Sequence, residues 1–282
     1  MRFPACLAAG VLLALSGVAP SPFPMAAAAP APATVPVPAR TAAPLAAHRA
    51  LYQLTLSTSG GQRQIVGAQG TMGYEMADVC DGWTTHQKLR LTLQSGEGPD
   101  VEMDSDYLTW ESKDGLNFRF HMVQRTDGNV NEQTDGGAHL SRTGGPGEAT
   151  YVAPKDKKIA LPAGTLFPTM HTVAILGAAR EGKKFLQLPL FDGTDDAGYE
   201  DSSIVVMDWK QPFATKYPVL TPLPSTRVRV AFFPHKPDVL MPGFEEAMRY
   251  WENGIADDMD MDFGDFVVHG VLTELTPLPR HC

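Results

Sequence analysis

The chain has 282 residues, with 23 lysines and arginines against 32 aspartates and glutamates, for a formal net charge of −9. An acidic chain whose cations are scattered is a poor fit to nucleic acid or to an anionic membrane surface. Beyond an N-terminal leader, no stretch approaches the length and hydropathy of a membrane span.

The leader comprises residues 1–29. Arg2 precedes an apolar run over 3–18, and Met25-Ala-Ala-Ala-Ala29 supplies the small side chains of a cleavage site, the pattern of a secretory signal peptide. Cleavage is expected near Ala27 to Ala29 rather than at Ala19, because Pro20 follows it. Cys6 has no lipobox before it, which argues against a lipoprotein. The processed chain carries 22 basic and 32 acidic residues, about −10. Of the three cysteines, Cys80 and Cys282 survive processing, and an even pair in an exported protein argues for a disulfide. Such a bridge would close a loop of about 200 residues, with a chain-entropy upper figure of roughly 4–5 kcal/mol. The alternative is two free thiols.

Residues 30–47 form an Ala/Pro/Val tract unable to bury a core, which reads as an extended linker. Structure is expected from His48 as one β-rich domain, 48–282, because strand and turn signals then alternate about every dozen residues. Strands are predicted over 51–56, 65–76 and 83–93. In the last of these Leu89, Leu91 and Leu93 share one face while Lys88, Arg90 and Thr92 share the other. Further strands are predicted over 101–112, 116–125, 130–134 and 138–142, with the glycines at 144–147 read as a loop.

Residues 166–182 give the one convincing helix of the processed chain. Pro168 suits a first turn, Gly182 the position past the end, and Arg180 the negative end of the helix dipole. The run from Val173 to Ala179 is almost wholly apolar, so the helix needs a wrapper, and only strands can supply it. Strands at 184–190, 202–209, 227–233, 245–251 and 263–275 follow, with a Pro-rich excursion over 212–224.

Candidate chemistry is thin. Asp258, Asp260 and Asp262 invite a calcium loop, but Phe263 stands where Gly is needed and His269 where Glu is needed. Alternation with Met259, Met261 and Phe263 reads instead as a strand, acidic outside and apolar inside. Asp192, Asp195, Asp196 and Glu200 fit a capped turn before a metal or carboxylate pair. The run 177–184 nearly matches a phosphate loop, but it ends a helix instead of opening one, and Lys184 replaces the hydroxyl that binds magnesium. His171, His86, His121 and His139 lack zinc spacing and read as polar-face histidines, and no nucleophile elbow occurs. Trp83, Trp110, Phe118, Phe120, Phe232 and Phe233 read as core. No catalytic, cofactor or metal residue is assigned.

Several segments in fixed order carry a resemblance. They are Cys80-Asp-Gly-Trp83, Asp104-Ser-Asp-Tyr107 with Trp110-Glu-Ser112, Leu161-Pro-Ala-Gly-Thr-Leu-Phe-Pro168, Leu190-Phe-Asp-Gly193, Asp201-Ser-Ser203, Met261-Asp-Phe-Gly-Asp-Phe266 and the terminal Cys282. Together they resemble the EipB family of periplasmic cell-envelope integrity proteins. The resemblance implies an all-β fold: a strongly curved, spiral or open-barrel antiparallel sheet around one central helix, distantly similar to the lipoprotein carriers LolA and LolB. It also implies a Cys80–Cys282 disulfide and a non-enzymatic periplasmic role in envelope integrity through a protein partner, with a helical-repeat (TPR-type) protein as first candidate. The alternative is a lipid or lipoprotein carrier using the concave face. The discriminating feature is whether the interior beside Ile175 and Leu176 is filled.

Overall fold

Runs that alternate apolar and polar side chains build this molecule, and their parity decides what each residue faces. A computed structural model describes residues 45–60, 65–236 and 239–279. The leader, residues 30–44 and Cys282 lie outside the described residues.

The first meander is β1 (His48–Ser59), β2 (Ile65–Asp78), β3 (Gly82–Ser95), β4 (Val101–Ser112), β5 (Asn117–Thr126), β6 (Asn129–Leu140), β7 (Gly147–Ala153) and β8 (Lys157–Leu161). Helix α1 (Pro168–Arg180) follows. The second meander is β9 (Phe185–Leu190), β10 (Glu200–Val206), β11 (Ser225–Pro234), β12 (Phe244–Trp251), β13 (Ala256–Asp262) and β14 (Phe266–Pro277). All fourteen strands form one antiparallel sheet in the order β8 to β1, then β14 to β9. The sheet is curved and does not close. Its two ends are β8 and β9, and α1 is the connection that carries the chain from one end to the other. The two meanders are joined by β1 against β14, with His48 opposite Pro277 and Tyr52 opposite Leu272. The all-β, open-barrel architecture around one helix is as expected.

Three local expectations change. Residues 130–142 form one strand, not two, because Gly136 and Gly137 lie within β6 rather than in a turn. A Cβ at Gly136 would stand 2.4 Å from the Thr150 carbonyl and 2.8 Å from the Phe120 ring, so glycine there permits close approach. Residues 147–161, unassigned from sequence, supply β7 and β8. The final strand begins at Phe266, and the stretch before it is β13, separated by a turn in which Gly264 has φ +85°.

The helix ends where expected. Pro168 opens it, and Gly182 (φ +72°) follows its C-terminus. The Gly182 and Lys183 N–H groups donate to the Ala179 and Ala178 carbonyls at 3.1 and 3.0 Å, a Schellman closure rather than a phosphate cradle. Ile175, Leu176, Ala178 and Ala179 are buried in the sheet's interior, whereas Met170, Val173 and Ala174 are only partly covered. The core has a large cluster against β1–β4, β9–β14 and α1, and an aromatic one, Phe118, Phe120, Tyr151, Phe167 and Phe191, against β5–β8.

Candidate functional site

Helix α1 brings no acceptor of its own to its N-terminus: Phe167 at the cap position makes no side-chain bond, and the first turn has no acid. Glu111, at the inward end of β4, supplies it. Its Oε2 accepts the Thr169 N–H at 2.7 Å and its Oε1 the Met170 N–H at 3.0 Å. Burial pushes this carboxyl up to about 7, against the downward pull of those two bonds. At the other end, Arg180 donates to Glu252 at 2.8 Å. The helix is thus held at both ends by the sheet it plugs.

His171 is not a polar-face histidine. It is buried, its Nε2 lies within hydrogen-bond distance of Ser202 Oγ at 2.8 Å, and Ser202 Oγ is also 2.8 Å from the Leu188 carbonyl. Burial lowers the imidazole to about 4. The contacts tie α1 to β9 and β10. His86, His121 and His139 lie on outward positions, bonded to Asp106, Asp135 and Asn117. Among the described residues, no group of three or more His, Cys, Asp or Glu is arranged to hold a metal ion.

The acidic turn at 192–200 is a clasp between the two sheet ends. Its carbonyls accept from side chains on β4, β6, β7 and β8: Tyr107 to Asp192 at 2.5 Å, Thr134 to Gly193 at 2.5 Å, Tyr151 to Asp195 at 2.9 Å, and Lys157 to Asp196. Asp192 Oδ1 caps Thr194, as a turn aspartate does. Burial, with Asp192 and Asp195 nearby, pushes Glu200 up to about 8. The turn expected from sequence is therefore present, with a closing role that sequence did not show.

Asp258, Asp260 and Asp262 face outward beside cations. Arg227 pairs with Asp258 and, at 3.1 Å, with Asp260; His269 Nδ1 is 2.7 Å from Asp260; Arg229 lies 3.8 Å from Asp262. Their charge is met by arginine and histidine, not left for calcium. Of the aromatics read as core, Phe118 and Phe120 are buried, but Trp110 faces outward beneath Arg119, 5.3 Å from its ring. With Asn117, His139 and Thr150 it lines an open outer groove of about 630 Å³, which shares no residue with α1.

The residue that sequence reasoning passed over is Glu246. It stands opposite Val230 of β11 and Met261 of β13, both buried core residues, so its carboxyl points inward. Burial alone pushes it up to about 7. Yet Glu246, and with it Tyr74, Tyr250, Leu89, Met170 and Ala174, is only partly covered. The inner face is therefore not sealed by side chains around this carboxyl. The signal was available, because Glu246 keeps phase with Phe244, Met248 and Tyr250.

This architecture and its sequence have known counterparts. A "Beta-barrel-like Protein of Domain of Unknown Function" from Brucella abortus, solved by crystallography, superposes with a TM-score of 0.75 at 31% identity, covering 83% of this chain and 99% of that one. The cell envelope integrity protein EipB of Brucella abortus is 32% identical over 243 residues, 84% of this chain and 86% of its own length. The EipB-like family pattern matches residues 39–279, and the chain belongs to that family.

Proposed function

We propose that this protein supports cell-envelope integrity from the periplasm, without chemistry of its own, through a protein partner of the helical-repeat (TPR) type. The observation that carries the reading is its 32% identity, over 84% of the chain, with a relative named for envelope integrity. The secretory pattern of residues 1–29 supports export. The burial of the His171–Ser202 pair as a tie between α1, β9 and β10 supports a non-enzymatic role. Deleting the gene should sensitise cells to detergent, and a copy lacking residues 1–29 should fail to rescue them. Unchanged sensitivity sinks the role. Affinity capture from periplasm should return a helical-repeat protein, and an empty capture removes the partner.

A disulfide between Cys80 and Cys282 belongs to this reading. His48 is flanked by Met76 of β2 and Pro277 of β14, which run in the same direction. Cys80 and Cys282 lie only a few residues beyond those positions, so both ends leave the sheet at one edge, which supports the pairing. Thiol counting on unfolded, exported protein should find no free thiol, and finding two overturns the bridge.

The incomplete cover of the inner face beside Glu246 and α1 favours a second reading, a carrier of a lipid or lipoprotein anchor. Native mass spectrometry of gently purified protein should then show an added mass, and a clean apo mass argues against it.

A further inference from the structure

Glu246 is a carboxyl without a partner. Among the described residues it makes no hydrogen bond and no ion pair, and no lysine or arginine occupies an inward position of β1–β4 or β11–β14. Its polar neighbours are the hydroxyls of Tyr52, Tyr74 and Tyr250. The Tyr52 hydroxyl is committed to the Ala256 carbonyl at 2.8 Å, so its ring is a wall rather than a donor. Val230, Met248 and Met261 surround the carboxyl, and Phe232 and Phe244 stack at 5.9 Å along the same wall. A deep carboxyl with no cation is costly unless something pairs with it. Electron-rich rings beside an acid are how proteins hold an ammonium group, and methionines adapt to a flexible tail.

We propose that the partly covered inner face at Glu246, Tyr74, Tyr250 and α1 binds an amphiphile with a cationic ammonium head, Glu246 acting as its counter-ion and Met and Phe side chains packing its aliphatic body. The proposal rests on the carrier reading and names the head group that such a carrier would select. An acidic interior discriminates by charge: an anionic head would meet Glu246 with no compensating cation, and a neutral head would leave the carboxyl unpaired.

The test uses decyltrimethylammonium below its micelle concentration, with decyl maltoside and decyl sulfate as neutral and anionic probes of equal tail length, titrated calorimetrically at pH 8. The ammonium probe should bind at least about tenfold more tightly than either other probe. Glu246→Gln should remove that preference while leaving decyl maltoside unchanged and the melting temperature no lower than wild type. Non-specific attraction to the acidic surface would survive that substitution, since 31 of the 32 acidic residues remain. Because the free carboxyl sits near 7, ammonium affinity should fall by up to about tenfold per unit as pH drops below it. Tyr52, Tyr74 and Tyr250 stay protonated there, and Glu111 and His48, which lie beyond Tyr74, and Asp257, beside Tyr52, are the other titratable neighbours. Loss of the pH slope in Glu246→Gln assigns it to this residue. Equal binding of all three probes, or an unchanged preference in Glu246→Gln, overturns the ammonium site and leaves the carrier reading standing. Binding of none overturns both.

Discussion

Glu245 and Glu246 are neighbours on β12 and meet opposite surroundings. Glu245 faces out and accepts from Arg229 at 2.5 Å; Glu246 faces in and has apolar residues on both sides. The contrast holds across the sheet. Outside, Asp208, Asp258, Asp260 and Asp262 are met by Arg249, Arg227, His269 and Arg229. Inside, Glu111, Glu200 and Glu246 have no cation, and burial raises all three. The outer charges are ordinary surface electrostatics, exchangeable and screened. The inner ones are held against a desolvation cost, which sets the inner face apart from the outer.

The largest break should come from Glu111. Glu111→Ala leaves the Thr169 and Met170 N–H groups buried without an acceptor, at about 2–3 kcal/mol, or a fall of roughly 5–10 °C in Tm. Glu111→Gln keeps one acceptor and should recover part of it. A thermal melt within about 2 °C of wild type for Glu111→Ala, less than half the expected fall, would mean the helix is not held from β4.

Next in size is the pH response. The folded chain holds protons on Glu111 and Glu246 up to about 7 and on Glu200 up to about 8, whereas the unfolded chain releases them near 4.5. Stability therefore falls as pH rises through that interval. His171 acts with the opposite sign: its folded value near 4 against 6.5 costs stability as pH falls through that range. Three carboxyls outweigh it, so Tm at pH 8.5 should lie at least roughly 5 °C below Tm at pH 5.5. A flat or rising profile contradicts the inner-face assignment. The smallest effect belongs outside. Arg227→Ala should cost no more than about 1 kcal/mol and lose that effect in high salt, and a larger, salt-independent loss would erase the distinction between the faces.

Parity was readable wherever large apolar residues mark it. Leu89, Leu91 and Leu93 defined β3, and Pro168 with Gly182 bounded the helix. It failed where the marker was glycine or a short polar run. Gly136 looks like a turn in sequence because its close approach to Thr150 is made by another strand. β8 has only five residues, two of them lysines, and owes its place to β7. Among the inner acids Glu246 was legible by phase, but Glu111 was not: within Trp110-Glu-Ser112 it looks like surface until α1, 58 residues later, sets its N-terminus on it.

The β1–β14 pairing has a consequence for how the chain is made. The strand synthesised last does not finish an edge; it fills the middle of the sheet, between β1 and β13. Until it emerges from the ribosome, β1 offers an unpaired backbone to any strand that arrives first, and the contact that completes the fold spans more than 200 residues, the slow kind to form. A truncation or fusion at the C-terminus would therefore act at the centre of the architecture.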